Sequence, residues 1–189
     1  MKCLPAKNIV INGRCGGIKY NDFHADLQYS FEAGEDEQLN AFYLKAFPTA
    51  ERIETISYEA DPELQLRGVD KVVHFPDGRT VTVDEKKRRK DYGDILLELW
   101  KNKERKKLGW LFYSQCDYIV YAVLGSGKIY LLPTLLLQMA WKHNGRQWLK
   151  QYDTKLANNH YYNTENIPIP TDVLLAAISA EMKQEAKGA

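Results

Sequence analysis

The stretch from Gly68 to Lys90, GVDKVVHFPDGRTVTVDEKKRRK, constrains this chain more than any other. Two runs in which apolar and polar residues alternate flank Pro76-Asp77-Gly78. That triplet makes a turn: proline presets a backbone angle, aspartate bonds its own backbone, and glycine accepts a positive φ. Alternation puts every second side chain on one face of a strand. Residues 68–75 and 79–87 are therefore expected as strands, and so short a turn makes them antiparallel neighbours. The first carries Asp70 and the second ends in Asp84-Glu85-Lys86.

The chemistry of that end depends on register. Asp84 and Lys86 share one face, and Asp70 can lie beside them across the hairpin. Two carboxylates at close range repel unless a cation sits between them. Mg2+ accepts such ligands and fills its other positions with water and phosphate oxygens. It would polarise a phosphodiester and acidify a bound water, and Lys86 could orient or deprotonate that water or hold the phosphate charge. The backbone carbonyl of Glu85 can add a ligand. The other register puts Glu85 and Lys87 on the working face, with Val81 and Val83. The pair Asp84 and Lys86 is preferred, because Thr80 and Thr82 precede it on a face that need not be deeply buried.

The rest of the chain supplies a frame. At 189 residues, 44% hydrophobic and 27% charged, it fits one domain with a core. Cys3, Cys15 and Cys116 are scattered and odd in number, which excludes a disulfide scaffold and a zinc motif and suggests a reducing, cytoplasmic setting. No run is long enough for a membrane span, and no signal-peptide segment is evident. Residues 7–11 read as a short edge strand and 12–17 as a turn. A helix is expected over 34–47, where Leu39, Phe42, Tyr43, Ala46 and Phe47 recur at helical spacing before Pro48. Its acidic start includes Glu35, which lies near the inner face. Residues 52–58 read as a strand, 91–104 as a helix on Ile95, Leu96, Leu99 and Trp100, and 118–124 and 128–132 as paired strands. A helix opens near Pro133, residues 144–170 are expected to be loop-rich with 167–170 extended, and a short helix closes over 173–183. This order gives an α/β fold, bordering on α+β, with a central mixed β-sheet flanked by helices.

Charge is concentrated although the net charge is only +1. Lys86, Lys87, Arg88, Arg89 and Lys90 run consecutively, and Lys101, Lys103, Arg105, Lys106 and Lys107 follow one expected helix later. Lys87 to Lys90 and the second group are the candidate DNA contacts, positional and salt-sensitive. Glu98 is a candidate partner for Lys86 or a further acid at the site.

The order Asp70, hairpin turn, Asp84-Glu85-Lys86 and helix, preceded by the 34–47 helix, resembles the core of the PD-(D/E)XK nuclease superfamily. The segments from Asp84 to Glu98, Gly109 to Ser114, Asp117-Tyr118 and Leu131-Leu132-Pro133 are similar to small phage- or prophage-borne nuclease-like proteins. The resemblance covers roughly residues 32–143. It implies a restriction-endonuclease-like core that binds Mg2+ or Mn2+ and hydrolyses DNA phosphodiesters, in the host cytoplasm if phage-encoded. Asp70 would match the first motif acid, Asp84 the second and Lys86 the lysine. An upstream helical glutamate would be Glu35 or Glu32. The first motif departs from the pattern, since Val69 rather than proline precedes Asp70. A homodimer would suit cleavage of both strands. The other readings are a nucleic-acid-binding phage accessory or regulatory protein without chemistry, and a protein-binding factor that uses its tyrosines and tryptophans.

Overall fold

The computed structural model describes residues 37–59, 61–159 and 162–188. Glu32, Glu35 and the expected edge strand and turn before residue 18 lie outside them. Helix α1 (Glu37–Ala46) leads into strand β1 (Arg52–Thr55), the five-residue helix α2 (Pro62–Leu66) and strands β2 (Lys71–His74) and β3 (Thr80–Arg88). Next come β4 (Asp94–Asn102), β5 (Lys107–Leu108), the short helix α3 (Trp110–Tyr113), β6 (Tyr118–Val123) and β7 (Lys128–Pro133). Helix α4 (Thr134–Gln151), β8 (Lys155–Asn159), β9 (Tyr162–Pro170) and helix α5 (Thr171–Gly188) complete the order.

The Gly68–Lys90 hairpin forms as the alternation predicts. β2 and β3 are antiparallel, with Lys71 opposite Val83 and His74 opposite Thr80. Gly78 takes φ +83° in the turn, a value open to glycine at little cost. The five-stranded sheet runs β1-β2-β3-β6-β7 and is mixed, because β6 joins β3 in parallel while the other pairs are antiparallel.

That sheet has two different faces. One packs Val73, Val83, Val120 and Ala122 under Leu39 and Tyr43 of α1 and Phe47 just after it. The other turns Ile119, Tyr121, Val123 and Leu132 toward Ile95, Leu97 and Leu99 of β4 and Ile167 and Ile169 of β9. Trp148 of α4 and Leu174 and Ile178 of α5 close this second core. Burying apolar surface at ~25 cal/mol per Å2 is the main stabilising contribution of both layers. Among the described residues, no helix is long and apolar enough to cross a membrane.

Three sequence expectations are corrected. Residues 91–104 are not a helix; β4 pairs antiparallel with β9 and with β5 in a second sheet, ordered β5-β4-β9-β8. The deciding pattern is Ile95, Leu97 and Leu99, all buried at period two. Ile95, Leu96, Leu99 and Trp100 mimic a helical stripe only because apolar residues occupy both faces of this strand. Consequently Glu98 stands on a strand, and the second basic group follows along β4 and the turn into β5. Residues 144–170 are not loop-rich, because α4 runs to Gln151 and β8 and β9 form a ladder, with Lys155 opposite Asn166. The final helix spans Thr171–Gly188 rather than 173–183.

Candidate active site

The site is built by the register of β3. Its parallel ladder with β6 sets Asp84 beside Ile119, Lys86 beside Tyr121 and Arg88 beside Val123. Side chains at paired positions share a face, so Asp84, Lys86 and Arg88 face the second sheet. Glu85 belongs to the face under α1, where Tyr43 donates its hydroxyl to Glu85 Oε1 at 2.8 Å. Lys87 Nζ lies 2.9 Å from Glu85 Oε2. The chain thus carries two acid–lysine pairs back to back on one strand.

Asp70 immediately precedes β2 and lies across from Asp84. Its amide donates to the Val83 carbonyl at 2.9 Å, continuing the ladder by one residue. Its Oδ2 accepts the Glu85 amide at 2.7 Å. Asp70 is therefore anchored to the backbone of the strand that carries Asp84 and Lys86.

Asp84 is fully buried, 0% exposed. Lys86 Nζ donates to its Oδ1, while no donor among the described residues reaches its Oδ2. Burial pushes the Asp84 carboxyl up to about 6; the Lys86 ammonium opposes this and the Asp70 carboxylate adds to it. Burial works against the Lys86 ammonium, but Asp84 and Asp70 outweigh it and hold its pKa above the usual lysine value. Lys86 is thus a cation, and its side chain keeps 24% exposure. It can donate to a phosphate oxygen or a water.

Gly68 opens the space beside this carboxylate. A Cβ there would stand 3.4 Å from Asp84 Oδ2 and 3.4 Å from the Tyr113 ring edge. Its φ of +83° disfavours a side chain independently. Cys116 Sγ bonds the Gly68 carbonyl at 3.2 Å and fixes the turn. Tyr113 arrives on α3, whose entry at Gly109 presses against β4: a Cβ at Gly109 would be 2.2 Å from the Glu98 carbonyl oxygen. The Trp110 amide donates to Glu98 Oε1 at 3.2 Å, and burial raises the Glu98 carboxyl while Trp110 and Lys86 lower it in part. Lys101 Nζ sits 5.7 Å from the Tyr113 ring centre.

The β4 ladder slips between Glu98 and Trp100 against β9, and between Trp100 and Asn102 against β5. Such irregularities re-aim side chains, and both fall in the segment that carries Glu98 and Lys101. Tyr113 and Gly68 carried no signal in sequence, because both reach Asp84 only through the packing of α3 and the turn before β2.

The basic residues divide by environment. Arg88 is paired with Asp94 and its guanidinium lies 4.6 Å over the Tyr92 ring. Arg89 and Lys90 are exposed beyond it. Lys101, Lys103, Arg105, Lys106 and Lys107 are exposed at the β4–β5 hairpin, with Lys103 paired to Glu165 at 2.9 Å. Of the first basic run, Lys86, Lys87 and Arg88 therefore meet carboxylates rather than open solvent.

The donor set bears on a divalent cation in two ways. Among the described residues, no group of three or more His, Cys, Asp and Glu side chains is gathered as a metal cage. Asp70 and Asp84 nevertheless stand together with one buried carboxylate oxygen unpartnered, which suits a hard ion held by two carboxylates with water and phosphate completing its shell. A groove of about 540 Å3 lined by Glu51, Arg52, His74, Phe75, Gly78 and Arg79 contains none of these acids. Comparison of the chain with protein-family models, curated proteins and solved structures gave no match in any of the three.

Proposed function

We propose that the chain is a Mg2+- or Mn2+-dependent deoxyribonuclease with a restriction-endonuclease-like core of the PD-(D/E)XK kind. The observation that carries this reading is Asp84 Oδ2, a fully buried carboxylate oxygen without a donor among the described residues, beside Asp70 and Lys86. A buried polar group left unpaired costs about 1–3 kcal/mol, more when charged. A cation at that oxygen would remove the cost and offset the repulsion between the two acids. The mixed order β1-β2-β3-β6, with α1 on one face, supports this reading, whereas the helix that the resemblance places after Asp84-Glu85-Lys86 is strand β4 here.

Asp70 and Asp84 would hold the metal, and the Glu85 carbonyl is the further ligand the motif suggests. When bound, the ion would acidify a water and polarise the phosphodiester. Lys86, held as a cation by Asp84 and Asp70, would donate to the scissile phosphate or orient the attacking water rather than accept its proton. Glu98, fixed by the Trp110 amide, would place a third carboxyl group near Lys86, after Asp84 and Asp70.

The test is cleavage of supercoiled, linear and single-stranded DNA by the purified chain with Mg2+, Mn2+ and EDTA. Metal-dependent cleavage, lost in Asp84→Ala and Lys86→Ala proteins that retain their circular dichroism, supports the reading. Salt-sensitive binding without cleavage under any metal would replace it with a non-catalytic nucleic-acid-binding protein.

A further inference from the structure

We infer that the strand this site works on is single-stranded DNA, held by two cation-backed tyrosines that bracket the Asp84–Lys86 pair. The inference rests on the nuclease reading for the chemistry, but the platform itself is argued from other residues. Arg88 continues the alternation Asp84, Lys86, Arg88 on one face of β3. Asp94 holds its guanidinium, which lies 4.6 Å over Tyr92. The Tyr92 ring stays 63% exposed, so it contributes little to the core. At the other end, Tyr113 stands beside Asp84 Oδ2 across Gly68, with Lys101 Nζ 5.7 Å from its ring centre.

Arg88 is four steps along the strand from Asp84, roughly 13 Å at the usual rise. Tyr113, half-buried against the second core, thus stands at the Asp84 end of this face, and Tyr92 at its Arg88 end. An aromatic ring beside a cation suits a nucleic acid strand, because the ring takes the flat face of a base and the cation takes its phosphate. A duplex keeps those faces stacked inside; a single strand, a frayed end or an extruded base presents them. Arg89 and Lys90, between Arg88 and Tyr92 in sequence, are exposed, and so are Arg105, Lys106 and Lys107 after Lys101, which adds positive charge near each ring. The acids nearby are accounted for in the same way: Asp94 is paired with Arg88, and Asp91 with Lys128 at 2.8 Å. Glu98 accepts the Trp110 amide.

Binding is measured first, without metal. Fluorescence anisotropy in EDTA compares a labelled oligothymidine of about 12 nucleotides with a duplex of the same length, within the usual footprint of such platforms. The expected result is single-strand binding at least about tenfold tighter than duplex binding. Tyr92→Ala should weaken single-strand binding about tenfold or more, Tyr92→Phe should restore it, and duplex binding should be unchanged. Equal affinity for both forms, or no effect of Tyr92→Ala, overturns the inference. Cleavage with Mg2+ is read separately on the same DNAs. Single-strand binding as expected with no cleavage of any DNA would uphold the platform and remove the nuclease reading. Cleavage with no strand preference and no response to Tyr92→Ala would do the reverse.

Discussion

Strand β3 carries the same two residue types on both of its faces, an acid and a lysine two positions apart, in opposite states. Under α1, both carboxylate oxygens of Glu85 are engaged, Oε1 by the Tyr43 hydroxyl and Oε2 by Lys87. Facing the second sheet, Asp84 is more deeply buried, yet among the described residues only its Oδ1 has a donor. A closed pair of this kind fixes the register of the strand, while a half-open pair is a place for a further charge. The comparison also shows why the middle residue of Asp84-Glu85-Lys86 is polar. Glu85 occupies an inward position, but Tyr43 and Lys87 satisfy it there, so the strand has not left the core.

The largest effect should separate the two faces by activity. Asp84→Asn keeps the shape but weakens both the metal site and the hold on Lys86. It is expected to lower metal-dependent cleavage on the order of a thousandfold, while Glu85→Gln should stay within about tenfold of wild type. Initial rates on one DNA substrate decide it. The reverse ranking would assign the chemistry to Glu85 and Lys87 and overturn the preferred register.

Stability should rank the faces in the opposite order. Glu85→Gln leaves the Lys87 ammonium, whose side chain is 10% exposed, without its carboxylate. Removing one partner of a buried pair typically costs about 3–5 kcal/mol. Urea unfolding in EDTA should show a loss near the lower end, since Gln still offers one oxygen. A loss below about 1 kcal/mol would mean that this pair is not what holds the strand.

The open face should also leave a mark in pH. Burial raises the folded Asp84 carboxyl from 3.8 to about 6, so the folded chain binds a proton that the unfolded chain has released. The stability this proton contributes is complete below the unfolded value and is lost as pH rises through about 6. The change amounts to about 3 kcal/mol. Urea midpoints measured in EDTA between pH 4 and 7.5 should therefore fall more steeply for wild type than for Asp84→Asn. Added Mg2+ should suppress the fall, since the cation favours the charged carboxylate. Parallel pH profiles for the two proteins would contradict this placement of the proton.

Much of this comparison was legible in sequence, and its gaps have physical causes. The hairpin, the Asp84–Lys86 face and α1 follow from local periodicity, which needs no partner to be read. β4 did not, because Leu96 and Trp100 on its second face imitate a helical stripe, and the pairing with β9 that decides the matter lies some seventy residues away. Glu98 was found as a candidate on the wrong element. Tyr113 and Gly68 were invisible because their role is a contact across the fold. The basic run reads as a catalytic lysine followed by DNA contacts from Lys87 to Lys90, but alternation sends Lys86 and Arg88 to one set of acids and Lys87 to another.

The smallest effect tests how tightly the closed face is coupled. Tyr43 is buried in the layer of α1 and donates to Glu85 Oε1 at 2.8 Å. Burial, then the Glu85 charge, raises its phenol, so it remains a donor throughout the neutral range. Tyr43→Phe keeps the ring among Leu39, Phe47 and Val83 and removes only the hydroxyl. A hydrogen bond to a charged group is worth about 1.5–3 kcal/mol, so a loss near 1.5 kcal/mol is expected with cleavage almost unchanged. In the Glu85→Gln background the same substitution should cost less, because the acceptor no longer carries a full charge. The double-mutant cycle measures that difference, and a coupling of about 0.5 kcal/mol or more is expected. Additive losses would show that Tyr43 acts through packing alone and that Glu85 is held by Lys87 without it.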